Sequence, residues 1–150
     1  MPQSYTCLHY HLVFSTKHRE PLINSNWQPR MFEYFGGVLR QQEGKLLAAG
    51  GMPDHVHLLA AINKQQSIAA TLRDLKASSS RWIHETIPGQ LGFSWQTGYG
   101  AFAVSFSNLD VVRSYIERQE EHHRTMTYQD ELRELLRRHQ IEFDERYLFD

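Results

Sequence analysis

GGMPDHVHLLAAI, residues 50–62, combines a turn signal with an apolar run that predicts a β-strand. Alternate side chains of a strand lie on the same face, so we expect His55 and His57 to project together and Val56 to point into the core. The two histidine backbones are expected about 7 Å apart, close enough for both imidazoles to bind one metal ion. The same spacing is also typical of an alternating polar face whose histidines are simply hydrogen-bonded.

Length, composition and charge predict one soluble domain. The chain has 150 residues, of which 41% are hydrophobic and 22% charged. Its single cysteine, Cys7, is interpreted as a core residue in a reducing compartment, which indicates the cytoplasm, and no apolar run is long enough to span a membrane. The net charge of −1 argues against a strongly basic nucleic-acid binder, although residues 1–100 carry +3 and residues 101–150 carry −4.

The apolar and turn patterns predict the order strand, helix, strand, strand, helix, strand, followed by further helices. Strands are expected at residues 5–16, 45–49 and 101–105 and from His55 onward, with residues 50–54 as a turn. Helices are expected at residues 27–42, 67–85 and 109–126 and from Thr127 onward. This order is that of an α+β ferredoxin-like (RRM-like) sandwich, with an antiparallel sheet, helices on one face and the other face free. Residues 141–149 are expected to form an edge strand or a docked tail.

Two further groups of residues complicate or support a metal site. His9 and His11 form a second His-x-His pair on the first strand, so spacing alone does not identify the functional pair. On the late helix, Tyr115 and Gln119 lie one turn apart, with His122 on the same side. A core tyrosine beside surface residues is the alternative interpretation of that stripe.

Three ordered motifs, YHLVFSTK at residues 10–17, MPDHVHLL at 52–59 and YIERQ at 115–119, together resemble the single-tyrosine HUH transposases. These small bacterial enzymes move insertion sequences as single-stranded DNA, and the group includes REP-associated relatives. The resemblance covers nearly the whole chain. It implies one transposase domain over residues 1–150 that cleaves and rejoins single-stranded DNA at insertion-element or palindrome ends through a 5′-phosphotyrosine intermediate. A domesticated relative that binds DNA or RNA hairpins without cutting them is the alternative.

The resemblance also assigns roles to individual residues. It implies that Tyr115 is the nucleophile, that His55 and His57 are metal ligands, and that Gln119 is the third ligand. The implied cofactor is Mg²⁺ or Mn²⁺, and the implied unit is a homodimer in which the tyrosine helix can complete the partner's site. The C-terminal helices would then carry the nucleophile.

Contacts with hairpin DNA are expected from cationic and aromatic side chains, which suit phosphates and stacked bases. A solvated charge or a core tryptophan is the alternative for each of them, and His11 could also support the metal site. The roles of His9, His122 and His123 stay open. The candidates for DNA binding are His11, Lys17, Arg19, Lys76, Arg81 and Trp82.

Overall fold

A computed structural model describes residues 3–149 of the chain. It contains four strands, five α-helices and two short 3₁₀ helices among these residues. The strands are β1 His9–Ser15, β2 Lys45–Met52, β3 His55–Ala61 and β4 Gly100–Val104. The α-helices are α1 Gln28–Gln41, α2 Ile68–Thr86, α3 Leu109–Glu117, α4 Gln119–His122 and α5 Tyr128–Arg138. The 3₁₀ helices are Lys17–Arg19 and Phe106–Asn108.

The four strands form one antiparallel sheet in the order β2-β3-β1-β4. β3 therefore lies in the interior of the sheet, where His57 pairs with Val13 of β1 and with Gly50 of β2. The predicted α+β class and the predicted order of strands and helices are confirmed. The narrower assignment to the ferredoxin-like group stays a prediction.

One face of the sheet is covered by α1 and α2. Val56 and Leu58 of β3, together with Leu12 and Phe14 of β1, are fully buried in the cluster that these helices complete. Burial of apolar side chains such as these contributes roughly 1.5–3 kcal/mol each. The helix α2 begins as predicted, because the Ser67 hydroxyl accepts a hydrogen bond from the Ala70 backbone N–H.

The opposite face is covered as well, and the expectation of a free face was wrong. Ile116 of α3 packs on Leu59, while Leu132 of α5 joins Val13 in a second cluster. The apolar residues on this side of β1 and β3 need cover, and the amphipathic C-terminal helices supply it. The same face carries His55 and His57, so α3, α4 and α5 surround the histidines.

Two local predictions on the N-terminal side need correction. Residues 50–52 belong to β2 rather than to the turn, which is the two-residue connection of Pro53 and Asp54. The first strand begins at His9 rather than at residue 5, and Cys7 before it is exposed rather than buried in the core. Both glycines lie within the sheet, because Gly50 pairs with His57 of β3 and Gly51 pairs with Val56.

The C-terminal third also differs from its prediction. The helix expected over residues 109–126 is interrupted at Arg118, whose φ of −107° and ψ of 37° separate α3 from α4. α5 begins after Thr127 as expected, since the Thr127 side chain accepts from the Asp130 N–H. The following segment is a docked tail, in which Phe143 and Leu148 pack against the α5 cluster. None of the helices in the described part of the chain is long and apolar enough to cross a membrane.

Candidate metal centre and nucleophile

His55 and His57 lie side by side on β3 and are completely buried. Their ring centroids are 5.2 Å apart. Each Nε2 atom faces the space under α4 and α5, where Glu131 Oε1 is 3.5 Å from His55 Nε2 and 2.9 Å from His57 Nε2. The strand periodicity thus brings both imidazoles together, as the sequence predicts.

The opposite nitrogen of each ring is held by a neighbour. Asp54 Oδ1 lies 2.8 Å from His55 Nδ1, and His11 Nε2 lies 2.8 Å from His57 Nδ1. Burial alone would lower the pKa of His55, but hydrogen bonding with Asp54 and Glu131 raises it; burial lowers the pKa of His57. A metal ligand needs a lone pair on Nε2 and a proton on Nδ1, and acceptors at Nδ1 favour that tautomer.

His11 is buried in contact with His57, so the structure places it beside the metal candidates. Burial, followed by the proximity of His57, lowers the pKa of His11 well below its ordinary value. The neutral ring can accept the proton of His57 Nδ1. The other member of the first-strand pair, His9, lies near Cys7, with its Nδ1 3.4 Å from the thiol sulfur.

Gln119 reaches the same space from the start of α4 and is buried. Its Nε2 donates to the carbonyl oxygen of Tyr115, which turns Oε1 toward the imidazoles. Oε1 lies 3.3 Å from His55 Nε2 and 3.2 Å from His123 Nε2. The amide oxygen is therefore available as a ligand, in the place expected for the third one.

Glu131 and His123 also reach this space; the sequence analysis did not single out Glu131 and left the role of His123 open. The Glu131 carboxylate is buried, with Oε1 3.1 Å from His123 Nε2. Burial opposes ionisation of this carboxyl, but hydrogen bonds with His123, His55 and His57 hold the pKa of Glu131 far below its usual range. Glu131 is one of eleven acidic residues after position 100, and no spacing rule singles it out. His123 follows directly on the stripe that began with Tyr115, so proximity in sequence was its only signal.

Tyr115 reaches the site from the last turn of α3. Its phenolic O–H donates to Glu131 Oε2, and its ring centroid is 6.0 Å from that of His57 in the same chain. Burial, followed by the negative charge of Glu131, raises the pKa of Tyr115. The ring of His122 packs against it with centroids 4.3 Å apart, and His122 Nε2 has no hydrogen-bond partner within residues 3–149.

Two cavities open onto this cluster from different sides. A cavity of about 330 Å³ reaches Tyr115 between α3 and α5 and is lined by His11, Phe102 and Arg138. A second, of about 600 Å³, reaches His55 and is lined by the turn before β3 and the residues that lead into α5. The first cavity thus gives access to the tyrosine and the second to His55.

The remaining DNA-binding candidates fall into two groups. Lys17 and Arg19 follow β1, and the neighbouring Thr16 N–H donates to the Asp54 carbonyl, so both residues lie near the histidine end of β3. Lys17 is exposed, whereas the Arg19 guanidinium lies 5.6 Å from the centroid of Phe149 in the docked tail.

The α2 candidates lie across the sheet from Tyr115. Lys76 donates to the carbonyl oxygens of Gln96 and Thr97, at 2.9 and 3.2 Å, and burial lowers its pKa to about 8. Trp82 is half-buried and stacks on Tyr34. Arg81 is exposed. The ammonium and the indole thus have internal partners, and only the guanidinium of Arg81 is displayed to solvent.

The donor set fits a divalent ion. His55, His57, His123 and Glu131 each offer one ligand atom, and these four atoms lie within 4.8 Å of one another. Imidazole nitrogens and a carboxylate oxygen are ordinary ligands of divalent transition metals. β3, α4 and α5 hold these side chains in place, which provides the fixed geometry that metal sites need.

A family model described as "Transposase IS200 like" matches residues 4–119 of this chain. The ISDra2 transposase TnpA of Deinococcus radiodurans is 29% identical over 118 residues, which covers 75% of this chain and 84% of that protein. The transposase for insertion sequence element IS200 of Salmonella typhimurium is 26% identical over 116 residues, covering 73% of this chain and 75% of that protein.

Solved structures give the same picture. A crystal structure described as a transposase of Deinococcus radiodurans R1 has a TM-score of 0.64 and 26% identity, covering 79% of this chain and 96% of that one. A REP-associated tyrosine transposase bound to a REP hairpin has a TM-score of 0.54 and 15% identity, covering 77% of this chain and 70% of that one. At 15% identity, the second likeness concerns the fold alone.

Proposed function

The chain belongs to the IS200-like transposase family, and we propose that it cleaves and rejoins single-stranded DNA through a covalent bond between Tyr115 and a 5′ phosphate. The observation that supports this mechanism best is the meeting of Tyr115 with His55, His57 and Gln119 around one buried space. A nucleophile and a set of metal ligands converge there from separate elements, as phosphoryl transfer needs.

His55, His57 and Gln119 would hold Mg²⁺ or Mn²⁺. Such an ion, when bound, offsets negative charge on the oxygens of the scissile phosphate. Asp54 and His11 act on the two histidines from behind, fixing each ring with its Nε2 toward the ligand space. The exclusion of water by the surrounding helices strengthens these interactions.

Tyr115 supplies the nucleophile. An ordinary phenol with a pKa near 10 is about 0.1% ionised at pH 7, which costs roughly 4 kcal/mol, and burial beside Glu131 increases this cost. The hydrogen bond to Glu131 Oε2 fixes the phenolic oxygen and gives its proton an acceptor during the attack.

The attack forms a bond from the phenolic oxygen to phosphorus and breaks the bond to the 3′ oxygen, which takes up a proton and leaves as a free hydroxyl. No water is consumed, and the phosphodiester energy is kept in the 5′-phosphotyrosine. Another 3′ hydroxyl can therefore reverse the step and complete strand transfer without ATP.

We further propose hairpin-bearing single-stranded DNA as the substrate and a homodimer as the working unit. One tyrosine makes one cut, whereas excision of an element needs two, so two chains suit the reaction. Lys17 lies exposed at the histidine end of the sheet, where it can contact phosphate. A DNA substrate and a sequence with one cysteine are both consistent with the cytoplasm, which stays a prediction.

Covalent adduct formation tests the proposal. Labelled single-stranded oligonucleotides that carry the short palindromes flanking the gene are mixed with the protein and Mg²⁺ or Mn²⁺, and adducts are measured on denaturing gels. We expect an adduct with the wild type and with Tyr128→Phe, and none with Tyr115→Phe or His57→Ala. Tyr128 is the matched control because its ring stacks on His55 in the same cleft.

Other outcomes point elsewhere. An adduct that survives Tyr115→Phe but disappears in Tyr128→Phe would move the nucleophile to Tyr128. Hairpin binding without an adduct under any metal condition would favour the non-cleaving alternative, and cut DNA with no protein attached would indicate a hydrolase.

A further inference from the structure

We propose that Glu131 and His123 are metal ligands, so that the ion is held by three imidazoles and a carboxylate in addition to the Gln119 amide. This inference deepens the proposed function and rests on it for the use of the metal in DNA cleavage. Neither residue belongs to the part of the chain that the family model matches, which ends at residue 119. Their assignment therefore depends on the geometry of this chain alone.

The distances between the donor atoms suit ligands that share one ion. Atoms about 2.1 Å from a common ion are about 3.0 Å apart along an octahedral edge and about 3.4 Å apart in a tetrahedron. Glu131 Oε1 lies 2.9 Å from His57 Nε2, 3.1 Å from His123 Nε2 and 3.5 Å from His55 Nε2. A small adjustment would complete the coordination shell.

Ordinary hydrogen bonds can have these lengths too: in the metal-free chain a second proton on the His55 ring lets Nε2 donate to Glu131, and a bound ion would take the place of that proton. His123 Nδ1 must donate to the carbonyl oxygen of Met126, which can only accept. His55 Nδ1 likewise donates to the Asp54 carboxylate, whose pKa that contact lowers. In neutral rings, both Nε2 atoms then carry lone pairs.

Those lone pairs point at atoms that also lack a proton. Gln119 Oε1 lies 3.3 Å from His55 Nε2 and 3.2 Å from His123 Nε2, and the ionised Glu131 oxygen faces both rings. Lone pairs that converge in a buried space repel one another unless a proton or a metal cation lies between them. A divalent ion satisfies every one of these acceptors at once, with a hydrogen on each Nδ1.

The carboxylate would then connect the metal to the nucleophile. Oε1 faces the imidazoles, while Oε2 accepts the hydrogen bond of Tyr115. Coordination through one oxygen and a hydrogen bond through the other would hold the phenolic oxygen at a fixed distance from the ion, and hence from a phosphate bound there. Glu131 thus acts as both a ligand and a positioning residue.

The enlarged donor set also bears on metal choice. Three imidazoles favour first-row transition metals over Mg²⁺, which prefers oxygen and retains its waters. The carboxylate reduces the charge of the bound ion from two to one and raises its affinity. We therefore expect Mn²⁺ to bind at least about tenfold more tightly than Mg²⁺.

Metal affinity measured without DNA tests the inference. Free Mn²⁺ is followed by electron paramagnetic resonance during titration of the full chain. We expect Glu131→Gln and His123→Ala to weaken Mn²⁺ binding by at least about tenfold. The matched control is Glu134→Gln, which removes an equal charge from the same helix, where Glu134 pairs with Arg138; its affinity should stay within about twofold of the wild type.

Circular dichroism in EDTA would show whether a substitution disturbs folding. In that case a second measurement, made on the wild type, tests the same ligands. Zn²⁺ is added as a diamagnetic probe, and nuclear magnetic resonance follows the histidine Nε2 and glutamate carboxyl signals. Saturable 1:1 shifts of His55, His57, His123 and Glu131 are expected. Unchanged signals of His123 and Glu131, or Glu131→Gln with wild-type Mn²⁺ affinity, would overturn the inference.

The two proposals fail in different ways. If the wild type forms a DNA adduct but Mn²⁺ affinity does not depend on Glu131 and His123, these residues are not ligands and the transposase mechanism still stands. If Mn²⁺ affinity depends on both residues but no DNA adduct forms, the metal site stands and the cleavage mechanism is contradicted.

Discussion

His11 shows how one contact distinguishes two histidine pairs that look alike in sequence. Its Nε2 lies 2.8 Å from His57 Nδ1 inside the protein, whereas His9, two residues earlier on the same face, contacts the thiol of the exposed Cys7. The spacing of the residues did not show whether His9 and His11 or His55 and His57 bind the metal. Val13 pairs with His57, which sets His11 beside that ring, and the four ligand atoms that converge in the described part of the chain include those of His55 and His57 but none of His9 or His11.

We predict that His11→Phe lowers Mn²⁺ affinity by about 10- to 100-fold, because it keeps a ring of similar shape but removes the acceptor for His57 Nδ1–H. His9→Phe is the matched control and should bind Mn²⁺ like the wild type. Isothermal titration calorimetry measures both variants. Equal affinities for the two would show that His11 does not position His57.

Acid is predicted to destabilise the metal-free protein. His11 and His57 have lowered pKa values in the folded state, so the unfolded chain takes up their protons first, and their contribution to stability is lost as the pH falls below about 6.5. His55 has a raised pKa and acts in the opposite sense, contributing stability that is lost as the pH rises through its folded pKa. Below about pH 6.5 the contribution of His55 is already complete, so His11 and His57 set the slope.

We therefore expect the free energy of unfolding in EDTA to fall by up to about 1 kcal/mol per pH unit between pH 6.5 and 5. Urea titrations at several pH values measure it. His11→Phe should make the decline shallower, since one titrating group is removed, and stability that rises on acidification would contradict the assignment.

At the scale of elements, the position of α3 on the sheet depends on Gly50. A Cβ atom there would lie 1.9 Å from the carbonyl oxygen of Ile116, so only glycine lets the helix backbone rest directly on β2. Tyr115 immediately precedes Ile116. The glycine pair that the sequence analysis assigned to a turn therefore has a different task, which is to bring the tyrosine helix close to the sheet.

Gly50→Ala is predicted to displace α3 and reduce the yield of the DNA adduct by at least about tenfold, with a loss of about 1–3 kcal/mol in stability. The matched control is Gly37→Ala in α1, where an added Cβ would approach Arg40 Nη2 no closer than 3.8 Å. Gly37→Ala should keep activity and gain about 0.5–1 kcal/mol. Adduct assays and thermal melts compare the two variants, and a fully active Gly50→Ala protein would show that α3 tolerates the shift.

For the whole molecule, the sequence was sufficient for the layout but not for the second layer of helices. Periodicity and turn residues predicted the strands, α1, α2 and the start of α5, since these signals are local. The burial of both faces of the sheet depends on how α3 and α5 pack onto it. Such long-range packing cannot be predicted from a local sequence pattern. For the same reason His55, His57, Tyr115 and Gln119 were found from motifs, whereas Glu131 was not.

The contact between Tyr115 and Glu131 of the same chain leads to a prediction about assembly. The resemblance implied a tyrosine that can serve the partner's site, but Tyr115 here contacts Glu131 of its own chain. A mixture of Tyr115→Phe and His57→Ala proteins should therefore yield no more adduct than either alone. Restored adduct in the mixture would show exchange of the tyrosine helix between two copies.

The exposed position of Cys7 has a practical consequence for that question. Because the sequence contains no other cysteine, air oxidation can join two copies through one S–S bond, and a band of double mass on a gel run without reductant would say nothing about the assembly that handles DNA. Under reducing conditions the same thiol accepts a single nitroxide label. The separation between labels on two copies would then report directly whether, and how, the chains associate.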